Sequence, residues 1–197
     1  MRTSFPIPRK VEALAAPQRR WAAELLHFWF HQLRPRDWFR PPASIDKQLE
    51  RRFGRDLAEL AHRPASEFLT DPGTALAAVL LFDQIPRNIH RGTPAAFKSD
   101  PLARAIAKRA MARGWDLGMT KVERQFLGLP LEHSEEIADQ LASLRFFASL
   151  GNRFGWPYAR SHYRMIARFG RFPHRNRALG RKSSVAEERA VAAGFAW

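Results

Sequence analysis

Apolar residues recur at helical spacing along nearly the whole chain, whereas segments with the alternating pattern of a strand are scarce. A first helix is predicted over residues 18–32, with Trp21, Leu25 and Trp29 on its apolar face. The stretch ALAAVLLF, residues 75–82, is apolar on all sides, so we expect a central, buried helix there. A chain of 197 residues supports one sizeable core. The pattern therefore predicts a single all-α domain of about nine short helices, packed as antiparallel pairs.

The predicted helices begin and end at residues with clear physical roles. Asp71 and Asp100 each precede a proline, and this order favours the start of a helix. Ser44 and Ser134 precede apolar periodic segments, so we expect both to be N-caps. Gly170 follows another such segment and is expected to end its helix, because glycine tolerates the left-handed backbone of a C-terminus.

Several protein classes are disfavoured by composition. No stretch approaches the roughly 20 apolar residues of a membrane helix. Residues 1–16 are basic without a continuous apolar run, so we expect a loosely ordered basic tail there, followed by the helical domain over 17–197. The chain has no cysteine, which excludes disulfides and thiolate metal sites. We expect a cytoplasmic protein that does not associate with membranes.

The net charge of +14 is unevenly distributed. No acidic residue occurs between Asp139 and Glu187, and that interval holds ten basic residues. Such a field attracts anions, whether nucleic acid, acidic protein or phosphorylated metabolite. A solubilising bias towards arginine explains the same numbers equally well.

The segment LLFDQIPRNIHRG, residues 80–92, places a carboxylate inside an apolar helix. Asp83 shares a helical face with leucines, so its charge should point inward, where a lone carboxylate is costly. Pro86 is expected to end the helix, and the negative end of the helix dipole would add to that cost. We therefore expect Arg87 and Arg91 to neutralise Asp83.

A second segment, RFGRFPHRNRALGR over residues 168–181, repeats the combination of proline, arginine and asparagine. Together the two turns supply more positive charge than one carboxylate absorbs, which favours an anion-binding cleft. The predicted ligand-binding residues are Asp83, Arg87, Asn88, Arg91, His133, Arg168, Arg171, His174, Arg175 and Asn176. For Asn88 and Asn176, a structural role in capping the turns is the alternative.

Candidates for acid–base chemistry are His133, Glu135 and His162. His133 and Glu135 flank Ser134 at a predicted helix start, where an anion also binds well. The alternative is that Ser134 caps the helix and Glu135 complements its dipole. His162 lies on an apolar stripe with Tyr158, and an inward histidine of this kind is more often a satisfied core residue. No metal site or cofactor is predicted, because no metal-ligand spacing or phosphate-binding loop is present.

Four motifs of the chain resemble a bacterial family catalogued as domain-of-unknown-function family 924. These motifs are LLFDQIPRNIHRGTPAAF, LPLEHSEE, SHYRMIARFGRFPHRN and LGRKSSVAEE. The resemblance extends from about Trp21 onward and implies an all-helical fold similar to tetratricopeptide-repeat (TPR) superhelices. That family has no established activity, so the resemblance assigns no catalytic residue.

Three functions follow as hypotheses. The first is a polar cleft rich in Arg, His and Asn that binds an anionic small molecule through a phosphate or carboxylate, with or without acid–base chemistry. The second is a TPR-like scaffold that binds a protein partner on a concave surface. The third is nucleic-acid binding by the basic C-terminal half, ranked last because no recognised binding motif is present.

Overall fold

The computed structural model describes residues 19–39 and 41–195, so the expected basic tail over 1–16 lies outside the described residues. The described part is helical and contains no strand. Its helices are α1 (Arg20–His27), α2 (Pro35–Phe39), α3 (Ala43–Leu60), α4 (Pro72–Val79), α5 (Ile85–Ile89), α6 (Asp100–Ala112), α7 (Lys121–Glu132), α8 (Ile137–Leu150), α9 (Trp156–Phe169) and α10 (Val185–Ala192). Because α4 and α5 form one continuous helix, the described residues contain nine helices, and the all-α prediction is confirmed.

Helix α4 is the centre of the main core. Every residue from Gly73 to Val79 is buried, as expected for a helix that is apolar all round. It packs against α1, α6 and α7, while α7, α8 and α9 pack consecutively on one another. Short connections make such consecutive neighbours antiparallel. The TPR-like layering stays a prediction.

Two of the expected helix boundaries are confirmed. Asp71 caps α4, because its carboxylate accepts a hydrogen bond from the Thr74 backbone N–H at 2.8 Å. Gly170 ends α9 with a left-handed φ of 67°.

The other expected caps were wrong. The N-cap of α3 is Pro42, and Ser44 lies inside the first turn of that helix. The N-cap of α8 is Glu136, with Ser134 two residues earlier. The Ser134 hydroxyl nevertheless accepts a hydrogen bond from the Glu136 backbone N–H at 3.1 Å, so it satisfies one donor of the same helix start. Asp100 is the first residue of α6, and its carboxylate faces another segment of the chain.

The helix that begins as α4 was predicted to end at Pro86, but it continues past that residue as α5. Residues Leu80–Gln84 form a π-helical turn, in which the Ile85 backbone N–H donates to the carbonyl of Leu80, and α5 continues from there. A proline inside an α-helix lacks its N–H and crowds the carbonyl four residues earlier, so the wider turn accommodates it. Asp83 therefore lies within a continuous helix, and π turns of this kind are frequent at functional sites.

A second, smaller core joins the C-terminal segments. It consists of Met165, Ile166, Phe172 and Ala190. Helix α10 packs here, and Ser184 and Glu187 form a capping box at its start. Among the residues that the structure describes, no helix has both the length and the apolar character needed to span a bilayer.

Candidate functional site

Asp83 is the buried centre of the site, with none of its surface exposed. His133 Nδ1 lies 2.8 Å from Oδ1 of Asp83, and Arg87 Nη1 lies 3.3 Å from the same oxygen. The side-chain amide of Gln84 donates to Oδ2. Burial raises the pKa of Asp83, but attraction to Arg87 and His133 outweighs burial and holds that pKa below its usual range. The carboxylate is therefore ionised, and Arg87 is the cation expected beside it.

Arg91, the other cation expected at Asp83, lies elsewhere. Its guanidinium donates to both carboxylate oxygens of Asp46, at 2.9 and 3.0 Å, and to the side-chain oxygen of Asn88 at 2.8 Å. The expectation was wrong for Arg91 because α3 brings an unpaired carboxylate within its reach, and a bidentate pair at the surface carries no burial cost.

Asp100 joins two arginines from distant segments. Arg87 donates to both of its carboxylate oxygens, at 2.8 and 2.9 Å, in a fork arrangement. Arg175 Nη1 lies 3.5 Å from one of the same oxygens. Asp83, Arg87, Asp100 and Arg175 thus form a continuous row of alternating charges.

Arg175 is the least satisfied charged group of this row. Its residue surface is only 6% exposed, and its guanidinium carbon lies 4.7 Å from the ring centre of Phe97 and 4.5 Å from that of Phe172. Its Nε has no hydrogen-bond partner among the described residues. Burial and repulsion by Arg87 lower the pKa of Arg175 to about 10, so the group remains cationic at neutral pH.

His133 is held in one orientation by Asp83. It is the C-cap of α7, and its side chain is 15% exposed. Burial lowers the pKa of His133, so the ring is neutral at neutral pH even beside Asp83. Because Nδ1 faces an ionised carboxylate, the proton belongs on Nδ1, and Nε2 keeps its lone pair. No described residue forms a hydrogen bond to Nε2 of His133, so this atom is free to accept a proton.

Glu132 and His162 form a second buried pair behind His133. Glu132 Oε1 lies 3.1 Å from Nδ1 of His162, which also lies 2.9 Å from the carbonyl of Tyr158. Burial, together with the charge of Asp83, raises the pKa of Glu132 well above its usual value. Burial also lowers the pKa of His162 well below its usual value. Burial therefore favours the neutral form of both groups.

His174 is the third histidine near these charges. Burial, together with the positive charge of Arg175, lowers the pKa of His174 to about 3. The three histidines are not arranged around a metal, since no group of three or more His, Asp or Glu side chains in the described part of the chain is placed to hold one.

We expect the imidazole resonances of His174 to stay fixed between pH 8 and pH 5. In the folded protein the pKa of about 3 keeps the ring neutral throughout that range. Carbon–proton correlation NMR, with assignment by His174→Asn, measures the shifts directly. The same chain in urea is the control, because unfolded histidines titrate near pH 6.5. A His174 midpoint above pH 5.5 in the folded protein would contradict the expectation.

Six of the residues predicted from sequence lie together. With Asp100 and Glu132 they form what we call the polar cluster, whose members are Asp83, Arg87, Asp100, Glu132, His133, His162, His174 and Arg175. The cluster is assembled from the π turn, α5, the start of α6, the end of α7, α9 and the segment after α9. Its partly exposed members, among them Arg87 and His133, give it a face towards solvent.

The other predicted ligand-binding residues lie outside the polar cluster. Arg171 Nε donates to Glu187 at 2.7 Å, and the side-chain amide of Asn176 lies 3.4 Å from the same carboxylate. Arg168 is exposed on α9, and Asn88 donates to a carbonyl four residues earlier at 2.9 Å. Each of them except Arg168 is hydrogen-bonded to another group of the protein. The contacts of Asn88 and Asn176 agree with the structural role that was the alternative.

Glu135, the predicted acid–base partner of His133, is hydrogen-bonded to other groups. Its carboxylate accepts two hydrogen bonds from Arg181, at 2.8 and 2.9 Å, and one from the Phe172 backbone N–H at 2.8 Å. Burial raises the pKa of Glu135, but these bonds outweigh burial and keep that pKa below its usual value. The side chain therefore fixes the segment that carries His174 and Arg175.

Sequence reasoning missed two members of the polar cluster. Asp100 was interpreted only as a helix cap, and its pairing with Arg87 and Arg175 depends on tertiary contacts. Glu132 had a detectable signal, because it follows Leu129 by three residues at the end of an apolar helix and so points inward. An acid on an inward face is as unusual there as at Asp83.

Comparisons with known proteins agree in giving no activity. A family model described as "Bacterial protein of unknown function (DUF924)" matches residues 25–194. The solved structure of ATU0120, a protein of unknown function from Agrobacterium tumefaciens, is similar, with 36% sequence identity and a TM-score of 0.82. That match covers 88% of this chain and 97% of the other. No curated protein matches the sequence.

Proposed function

This chain belongs to the bacterial family of unknown function DUF924, and from that premise we propose that its polar cluster binds an anionic small molecule through a phosphate or carboxylate group. The observation that carries the proposal is Arg175. A guanidinium has five N–H donors. In Arg175 it is almost fully buried, and among the described residues it has a single hydrogen bond, which is 3.5 Å long.

The charges around Arg175 support an anion as the missing partner. Asp100 is bound in a fork by Arg87, so its single negative charge is shared between two arginines. A buried charge without a full counter-charge is costly, and an anion bound at Arg175 lowers that cost. Arg175 also lies between two aromatic rings, which hold the guanidinium plane in one orientation. A planar carboxylate or a phosphate fits such a fixed donor fork.

Acid–base chemistry is the second half of the proposal. His133 offers a neutral imidazole whose Nε2 accepts a proton, and Asp83 orients the ring and stabilises its charged form. The raised pKa of Glu132 favours its protonated form in the same cluster. The pKa of Asp83 is lowered and that of Glu132 is raised. Neighbouring titratable groups with opposite pKa shifts are typical of a site that holds both an acid and a base.

Calorimetric titration of the full chain with inorganic phosphate and with succinate tests anion binding. We expect the variant Arg175→Gln to lose at least tenfold in affinity for the anion that binds, since a hydrogen bond to a charged group contributes about 1.5–3 kcal/mol. The control is Arg160→Gln, which removes an exposed arginine of α9 outside the polar cluster. Equal affinity in both variants, or no binding of either anion to the natural protein, would exclude the proposal.

A further inference from the structure

A cleft separates α9 from α10 on the side of the second core. It has a volume of about 360 Å³, and its floor is formed by Met165, Ala190 and Phe195. None of the side chains of the polar cluster lines it. Clefts of roughly 300–1,000 Å³ with a mostly apolar lining and few polar groups are typical of small-molecule sites.

Three arginines line the cleft together with its apolar floor. Arg164 and Arg168 come from successive turns of α9, and Arg189 faces them from α10. None of the three has a carboxylate within ion-pair distance among the described residues. This differs from Arg171 nearby, which is bound by Glu187 at 2.7 Å. Three guanidinium groups without a counter-charge thus surround an apolar surface.

Small side chains explain why the cleft is open. Ala186 and Ala190 lie on one face of α10, four residues apart, and Ala193 follows three residues later at its C-cap. Larger residues there would fill the space against α9. The cleft is therefore a consequence of the α10 sequence.

We propose that this cleft binds a free anionic amphiphile, with its alkyl chain on the apolar floor and its carboxylate or phosphate head on the three arginines. An alkyl chain removes apolar surface of the floor from water, and guanidinium groups suit carboxylate and phosphate heads. An anion without an alkyl chain would leave the apolar floor exposed to water. A second copy of the chain is disfavoured, because each copy carries a net charge of +14. A membrane surface needs protruding apolar side chains, whereas this floor is recessed.

The proposal does not depend on the polar cluster, and the probe is decanoate kept below its micelle-forming concentration. We expect the full chain to bind decanoate in calorimetry, with shifts of the Met165 and Ala190 methyl resonances in NMR. Decyltrimethylammonium has the same chain with a positive head and should bind at least tenfold more weakly, because the head would meet three arginines. Equal affinity for both, or binding only to vesicles containing anionic lipid, would overturn the proposal.

Two variants locate the site. We expect Arg164→Gln with Arg168→Gln to weaken decanoate binding by about tenfold or more, given the strength of charge-assisted hydrogen bonds. Arg160→Gln is the matched control, since it lies on the same exposed stripe of α9 outside the cleft. Ala186→Leu places a larger side chain at an exposed position of the cleft and should also reduce binding. Loss of decanoate binding in Arg175→Gln, with retention in these variants, would assign decanoate to the polar cluster and overturn the proposal.

Discussion

Replacing Asp83 with alanine is expected to lower the free energy of unfolding by about 3–5 kcal/mol, the usual cost of removing one partner of a buried ion pair. The carboxylate is fully buried and accepts hydrogen bonds from His133 and Gln84 while neutralising Arg87. Without it, Nδ1 of His133 and the Gln84 amide lose their acceptor inside the protein. Urea denaturation monitored by circular dichroism measures the loss.

Asp46→Ala is the matched control for that experiment. Asp46 also pairs with an arginine, and its two hydrogen bonds to Arg91 are 2.9 and 3.0 Å long. The Arg91 side chain is 51% exposed, however, and exposed pairs contribute about 0–1 kcal/mol. Similar losses for the two variants would mean that burial at Asp83 does not set its contribution.

The variant Glu132→Gln is expected to make the protein more stable at pH 8 and to flatten the dependence of its stability on pH. Burial and Asp83 raise the pKa of Glu132 in the folded state, whereas the unfolded chain has the usual value. Between those two pKa values the folded state binds one more proton than the unfolded state. Stability therefore falls as pH rises, by at most about 1.4 kcal/mol per pH unit for one group. Glutamine cannot ionise, so this loss disappears.

Urea denaturation at pH 6, 7 and 8 separates Glu132 from the histidines. The lowered pKa values of His162 and His174 act in the opposite direction. Both rings stay neutral in the folded state but take up a proton in the unfolded chain, so the protein loses stability as pH falls below about 6.5. Glu132→Gln should leave the loss of stability at acidic pH unchanged and remove only the loss of stability that occurs as pH rises. Glu59→Gln, at an exposed position on α3, is the control. An unchanged slope in Glu132→Gln between pH 6 and pH 8 would show that Glu132 is ionised in the folded protein.

The helices were predictable from sequence because their signals are local. Spacing of apolar residues and the cap at Asp71 act within one or two turns. The pairing of Asp83 with Arg87 is similarly local, since four residues separate them on one helical face. The π turn leaves no mark in that spacing, so the helix was expected to end at Pro86.

The rest of the site depends on contacts between distant segments. Asp83 meets His133 across 50 residues, and Arg175 meets Asp100 across 75. Arg91 pairs with Asp46, 45 residues away, although Asp83 is far closer in sequence. Which carboxylate an arginine binds is decided by the packing of whole helices, and residue type alone does not determine it.

Chain length at the wide turn between α4 and α5 matters as much as composition. Five residues, Leu80–Gln84, fill a stretch that an ordinary helix would complete with fewer, because a bond from Ile85 back to Leu80 adds one residue to the turn. Deleting one of the five would restore a regular α-helix, in which Pro86 would crowd the carbonyl four residues earlier. The side chains inside the turn, including Asp83, would also change direction, and the contact of Asp83 with His133 would be lost or weakened. Alignment gaps at this position are therefore more informative about this centre than substitutions are.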